Sequence, residues 1–220
     1  MSRTAVSTTL LALLILSTLP FVIHAAQLGV RGLGSAAETS RVFTPNAPLT
    51  NFSIFLHMLV GAVITLLAPL QISLWLRRNK PKTHRMIGRI LVFLSIPTAL
   101  GGFVYILLRG TIGGTPMDFA FALYGALLLV TALGTIRFAR VRNFKRHNRW
   151  AMRFFLLVIG SWIYRVHYGL WFAIIGRNGH TSSFDGPFDA VQNWAFFAPY
   201  LLLAEVYYTH RDGPFWTRNR

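Results

Sequence analysis

The stretch "WLRRNKPKTHRMIGRILVFL", residues 75–94, decides the fold. Six basic residues and no acid lie in it: Arg77, Arg78, Lys80, Lys82, Arg85 and Arg89. An apolar run ends where it begins, and another opens at its far end. The same grammar returns in "FKRHNRWAMRFF", residues 144–155, where His147 is followed by Arg149, Arg153 and a second apolar run. Basic clusters that join apolar runs mark cytoplasmic turns between membrane-spanning helices.

The rest of the chain agrees. Of its 220 residues, 54% are hydrophobic and 13% charged, against about 25% charge in soluble domains. The net charge of +16 does not mark a nucleic-acid binder, because the basic residues are confined to the edges of apolar runs. There is no cysteine, which excludes disulfides, thiolate metal sites and iron–sulfur clusters. Six runs approach the roughly 20 residues needed to span a bilayer: 6–25, 52–76, 87–108, 118–138, 151–175 and 190–208. The expected fold class is therefore all-α, a polytopic transmembrane bundle of six helices.

The first run is either a signal peptide or an uncleaved anchor. His24 occupies the −3 position of the one small-residue cut, after Ala26, and so favours the anchor. Residues Arg77–Arg89 and Arg137–Arg153, with Arg211, Arg218 and Arg220 of the tail, set both basic loops and both termini in the cytoplasm of a bacterial inner membrane. Glu38, Asp118, Asp185 and Asp189 fall outside. Runs two to five make two hairpins, each with a cytoplasmic His/Arg elbow, and read as a parallel duplication. The chain divides into an N-terminal anchor and outer loop (1–51), a four-helix core (52–175), and an outer loop, sixth helix and basic tail (176–220). Pro69 and Pro97 are expected to kink runs two and three. Gln71 then stands ready to satisfy a freed backbone group, and Gly88 to let helices approach.

These features together resemble a known family. His57, Pro69-Leu70-Gln71, His84-Arg85 with Gly88-Arg89, His147 with Arg149-Trp150 and Arg153, and then Arg165 are similar to the pattern of bacterial membrane proteins grouped as domain of unknown function 2306. The resemblance covers about residues 52–175. It implies a multi-pass helical protein and no settled activity. His167 departs from the pattern, which leads one to expect an aromatic or aliphatic residue there.

Ionisable groups inside a span are candidates for function: His57, Arg165, His167 and Glu205. His57 lies 20 residues before Arg77, and His167 lies 20 after His147, so each stands roughly 30 Å of helix from the cytoplasmic edge. Two imidazoles at one depth suit a bis-histidine b-type haem. The bland alternative is that each hydrogen-bonds within the bundle. His84 and His147 make a poorer pair, because His147 and His167 project about 200° apart around their helix. Arg165 is a candidate for an anion, a haem propionate or a quinone-like carbonyl, or else snorkels outward or pairs with Asp185 or Asp189. Arg85/Arg89 and Arg149/Arg153 are i, i+4 pairs, each on one helix face, and are candidates for anionic lipid phosphate. No tight histidine spacing marks a metal site. No nucleophile–base motif or phosphate loop is present, so no catalytic residue is assigned. Three functions stand open: a haem redox protein, a lipid or small-anion binding or transport protein, and a structural or assembly factor.

Overall fold

The computed structural model describes residues 3–34 and 40–213; Glu38, Arg218 and Arg220 lie outside the described residues. The chain runs α1 (Arg3–Leu33), α2 (Pro48–Ile72), α3 (Leu74–Asn79), α4 (Pro81–Leu108), α5 (Gly114–Arg140), α6 (Phe144–Val158), α7 (Gly160–Ile174), α8 (Pro187–Ala195) and α9 (Ala198–Asp212). No strand occurs among the described residues. Four helices are long and apolar enough to cross a membrane: α1 from Thr8, α2, α4 and α5.

The other two runs are broken. Run five is α6 and α7, divided at Ile159. A break frees carbonyls, which are costly in hydrocarbon unless another group takes them. The Tyr124 hydroxyl of α5 donates to the Leu157 carbonyl, and Thr65 Oγ1 of α2 donates to that of Val158 at 3.4 Å. Run six is α8 and α9, divided at Phe196 and Phe197. Pro199, in the first turn of α9, has no N–H and would clash with the Ala195 carbonyl if the helix continued. The two phenylalanines of the break are buried among Phe121, Tyr124 and Tyr164. Pro69 and Pro97, by contrast, lie inside unbroken α2 and α4.

Apolar helices gain little from burial against each other in lipid, so association rests on close packing and small residues. The contact of α1 with α2 shows this. A Cβ on Gly32 would stand 2.0 Å from the Phe55 ring, and one on Gly29 would stand 2.8 Å from the Leu59 backbone. α1 is thus docked against α2 at Gly29 and Gly32. α4 meets α2 as closely: a Cβ on Gly101 would stand 2.5 Å from the Ser53 carbonyl. Gly88 does not play that part, since its Cβ would meet only Gln71 Oε1 at 3.5 Å. Gln71 instead ties α2 to α4 by donating to the His84 carbonyl at 3.2 Å. The main core gathers Ile64 and Ala68 (α2), Leu91 (α4), Leu128 and Ala132 (α5), Leu157 and Ile163 (α6 and α7) with Phe196 and Phe197.

Candidate functional site

At the end of the bundle away from the basic elbows, α7, α8 and the loop between them share a buried polar lattice. Asp189 lies in the first turn of α8, set by Pro187. Its side chain is 0% exposed. Oδ1 accepts from Tyr168 (2.5 Å) and from His180 Nδ1 (2.8 Å), and Oδ2 from the Thr181 and Gly186 amides (3.0 and 3.1 Å). Burial pushes this carboxyl up, but the hydrogen bonds from His180, Tyr168 and Thr181, with the charge of His180, outweigh it and hold it below the usual carboxylate range. Tyr164 donates to Tyr168 at 3.2 Å.

A second branch contains His167. Gln192 Nε2 donates to the Tyr164 carbonyl (3.3 Å), so its Oε1 is free to accept from His167 Nδ1 (3.0 Å). His167 Nε2 then accepts from the Tyr200 hydroxyl (2.8 Å). Both ring nitrogens are taken. His167 and Gln192 line a groove of about 760 Å³ between α7 and α8, walled otherwise mostly by apolar side chains such as Trp171, Ile174 and Phe188.

His57 belongs elsewhere. Its Nδ1 lies 2.5 Å from the Thr98 carbonyl of α4. A carbonyl only accepts, so Nδ1 carries the proton and Nε2 the lone pair. No contact joins His57 to His167 among the described residues. An axial ligand needs an unshared nitrogen, and His167 offers none. As placed, the pair does not meet the donor requirement of a bis-histidine haem.

The Arg165 side chain is exposed. Its guanidinium carbon stands 4.6 Å from the centre of the Phe21 ring of α1. It is also within electrostatic reach of His57 (α2), Tyr124 (α5) and Tyr164 (α7). Nη1 donates to the Ser161 carbonyl at 3.0 Å. The pairing with Asp185 or Asp189 is not made: Asp185 bonds to Thr181, and Asp189 is occupied as above.

At the opposite end the two basic elbows differ, so the duplication does not extend to their side chains. Arg149 is 4% exposed and donates to Glu205 Oε1 at 3.4 Å and to the Gly213 carbonyl at 3.2 Å. Arg153 pairs with Glu205 Oε2. The second arginine pair therefore clamps α6 to α9, whereas Arg85 and Arg89 are exposed. His147 Nδ1 donates to the Thr135 carbonyl of α5 at 3.0 Å. It stands within electrostatic reach of His84.

Sequence reasoning missed Tyr200, Gln192, Tyr168 and the acid partner of His180. One signal was available: "GPFD", residues 186–189, places an acid three residues past a turn glycine and two past a helix-starting proline, where backbone amides are free to bond it.

A bundle of long apolar helices with interior ionisable groups and basic residues at one end defines a multi-pass membrane protein. The family model described as "Predicted membrane protein (DUF2306)" matches residues 54–208. The chain belongs to that family. No curated protein and no solved structure matches it.

Proposed function

We propose that the chain crosses the bacterial inner membrane six times, with both termini cytoplasmic, and binds an amphiphile with an anionic head group at Arg165 and His57. The observation that carries this is Arg165, a guanidinium within a span that no carboxylate among the described residues reaches. An uncompensated charge there is expensive, and a phosphate or carboxylate matches its fork of donors. Arg165 lies 16 residues past Arg149, roughly 24 Å of helix from the cytoplasmic elbow. That depth suits a head group of the outer leaflet whose chains lie in the bilayer. His57 Nε2 adds an acceptor for a hydroxyl of the same group. Six crossings are supported by α6–α7 and α8–α9, each of which restores a run long enough to span. The Glu205 clamp supports a tail on the side of the basic elbows.

The test is a titration of protein in phosphatidylcholine nanodiscs with a short-chain phosphatidic acid and with the matching neutral diacylglycerol. The acid is expected to bind about tenfold more tightly, the value of one charge-assisted hydrogen bond. Arg165→Gln abolishes the preference, and His57→Gln weakens it. Equal binding of both amphiphiles, or a preference unchanged in Arg165→Gln, contradicts the proposal.

A further inference from the structure

A second groove, of about 610 Å³, lies between the last turns of α5 and the first turns of α6. It shares no lining residue with the groove between α7 and α8. On α5, Val130, Gly134 and Phe138 are four apart, as are Leu133 and Arg137, so all five lie along one helix face. α6 supplies Arg146 and Trp150, again four apart. Phe138 and Trp150 are stacked, with ring centres 6.3 Å apart and planes at 19°. The indole lies against α5 because residue 134 is glycine: a Cβ there would stand 2.4 Å from Trp150.

Two guanidiniums border this aromatic wall. The Arg137 and Arg146 guanidinium carbons stand 5.9 and 5.5 Å from the centre of the same Phe138 ring. A guanidinium held over a ring keeps its in-plane N–H groups for a second partner. Arg137 is exposed and Arg146 half-buried, so both are reached from outside. Snorkelling alone takes an arginine to a membrane edge; it does not bring two, from different helices, to one ring in one groove.

The groove has two unlike ends. Its basic end lies at Arg137 and Arg146. Its apolar end lies at the exposed Val130 and Leu133, up to two turns back along α5, roughly 10 Å. A soluble phosphate would use the basic end alone. A phospholipid uses both, with its phosphate on the arginine forks and its chain along Val130 and Leu133. Two guanidiniums repel the ammonium of a zwitterionic head group, so the favoured lipid is anionic.

We infer that Arg137 and Arg146 bind the phosphate of an anionic phospholipid, one of the inner leaflet under the topology proposed above. Phe138 and Trp150 form the wall against which it lies. This site is separate from Arg165 and does not depend on it.

The test is a titration of the full chain carrying Arg165→Gln, so that the other proposed site takes no part, read by native mass spectrometry from mild detergent. The probes are phosphatidylglycerol, phosphatidylcholine with the same chains, and glycerol 1-phosphate as competitor. Phosphatidylglycerol is expected to bind about tenfold more tightly than phosphatidylcholine, the value of one charge-assisted hydrogen bond. Arg137→Gln and Arg146→Gln each abolish that preference. Arg137 is exposed, so its replacement tests the site without threatening the fold. Arg140→Gln, which removes equal charge at an exposed residue outside the groove, leaves the preference intact. Glycerol 1-phosphate at the lipid's concentration does not displace it. Equal binding of the two lipids, a preference retained in either Arg137→Gln or Arg146→Gln, or the same loss in Arg140→Gln would overturn the inference. So would displacement by glycerol 1-phosphate, because the occupant would then be a soluble phosphate.

Discussion

Asp189 accepts four hydrogen bonds without exposure to water, and its replacement is the severest single change the outer lattice admits. Asp189→Ala strands His180, Tyr168 and two amides, and is expected to cost about 3–5 kcal/mol, the range for removing one partner of a buried pair. The thermal midpoint in detergent reads this directly. The same carboxyl gives a pH dependence of definite sign. Its folded value lies below the ordinary 3.8, so its stabilisation is complete above that value and is lost as pH falls through the lowered one. Thermal scans from neutral pH downward should show this loss, and Asp189→Ala should lack it. Tyr200→Phe removes one donor to His167 and is expected to cost about 1 kcal/mol. His167 shows where sequence reading ran short. Its type and depth were legible, but its partners Gln192 and Tyr200 lie 25 and 33 residues away, where only tertiary packing brings them.

Among the elements, helices α1, α2, α4 and α5 follow from run length and hydropathy alone. The broken helices do not. Three prolines shared one sequence signal and had different outcomes: α2 and α4 continue through Pro69 and Pro97, while Pro199 separates α9 from α8. The difference lies in neighbours. At Pro199 the chain gains by sinking Phe196 and Phe197 into the aromatic core, and tertiary gain of that kind leaves no local pattern. The docking of α1 is equally invisible until Gly32 meets Phe55. Gly32→Leu is expected to cost about 1–3 kcal/mol through overpacking, with α1 loosened from α2. The natural chain has no cysteine, so Ala25→Cys with Ala62→Cys, neighbours in one buried cluster, gives a clean reporter. The pair should crosslink readily, and adding Gly32→Leu should abolish crosslinking. Crosslinking that persists would mean that Phe55 yields to the new side chain.

For the whole molecule, the polar groups of the described residues fall at two ends. His84, His147 and the Glu205 clamp gather at one end. Asp189, His180 and the Arg109 contact with the Arg41 carbonyl at 2.9 Å lie toward the other. Single cysteines at Lys145 and Thr181 should therefore react with an impermeant thiol reagent from opposite faces, Lys145 from the cytoplasm. Within this frame the central claim is that Arg165 holds an anionic head group in the outer half of the bundle. The most direct measurement is the lipid retained by purified protein, extracted without detergent into polymer-bounded discs and quantified by head-group class. The account predicts acidic amphiphile in stoichiometric amount with the wild type and its loss from Arg165→Gln, while the variant stays folded and monodisperse. Retention of the same lipid in the same amount by Arg165→Gln would contradict it.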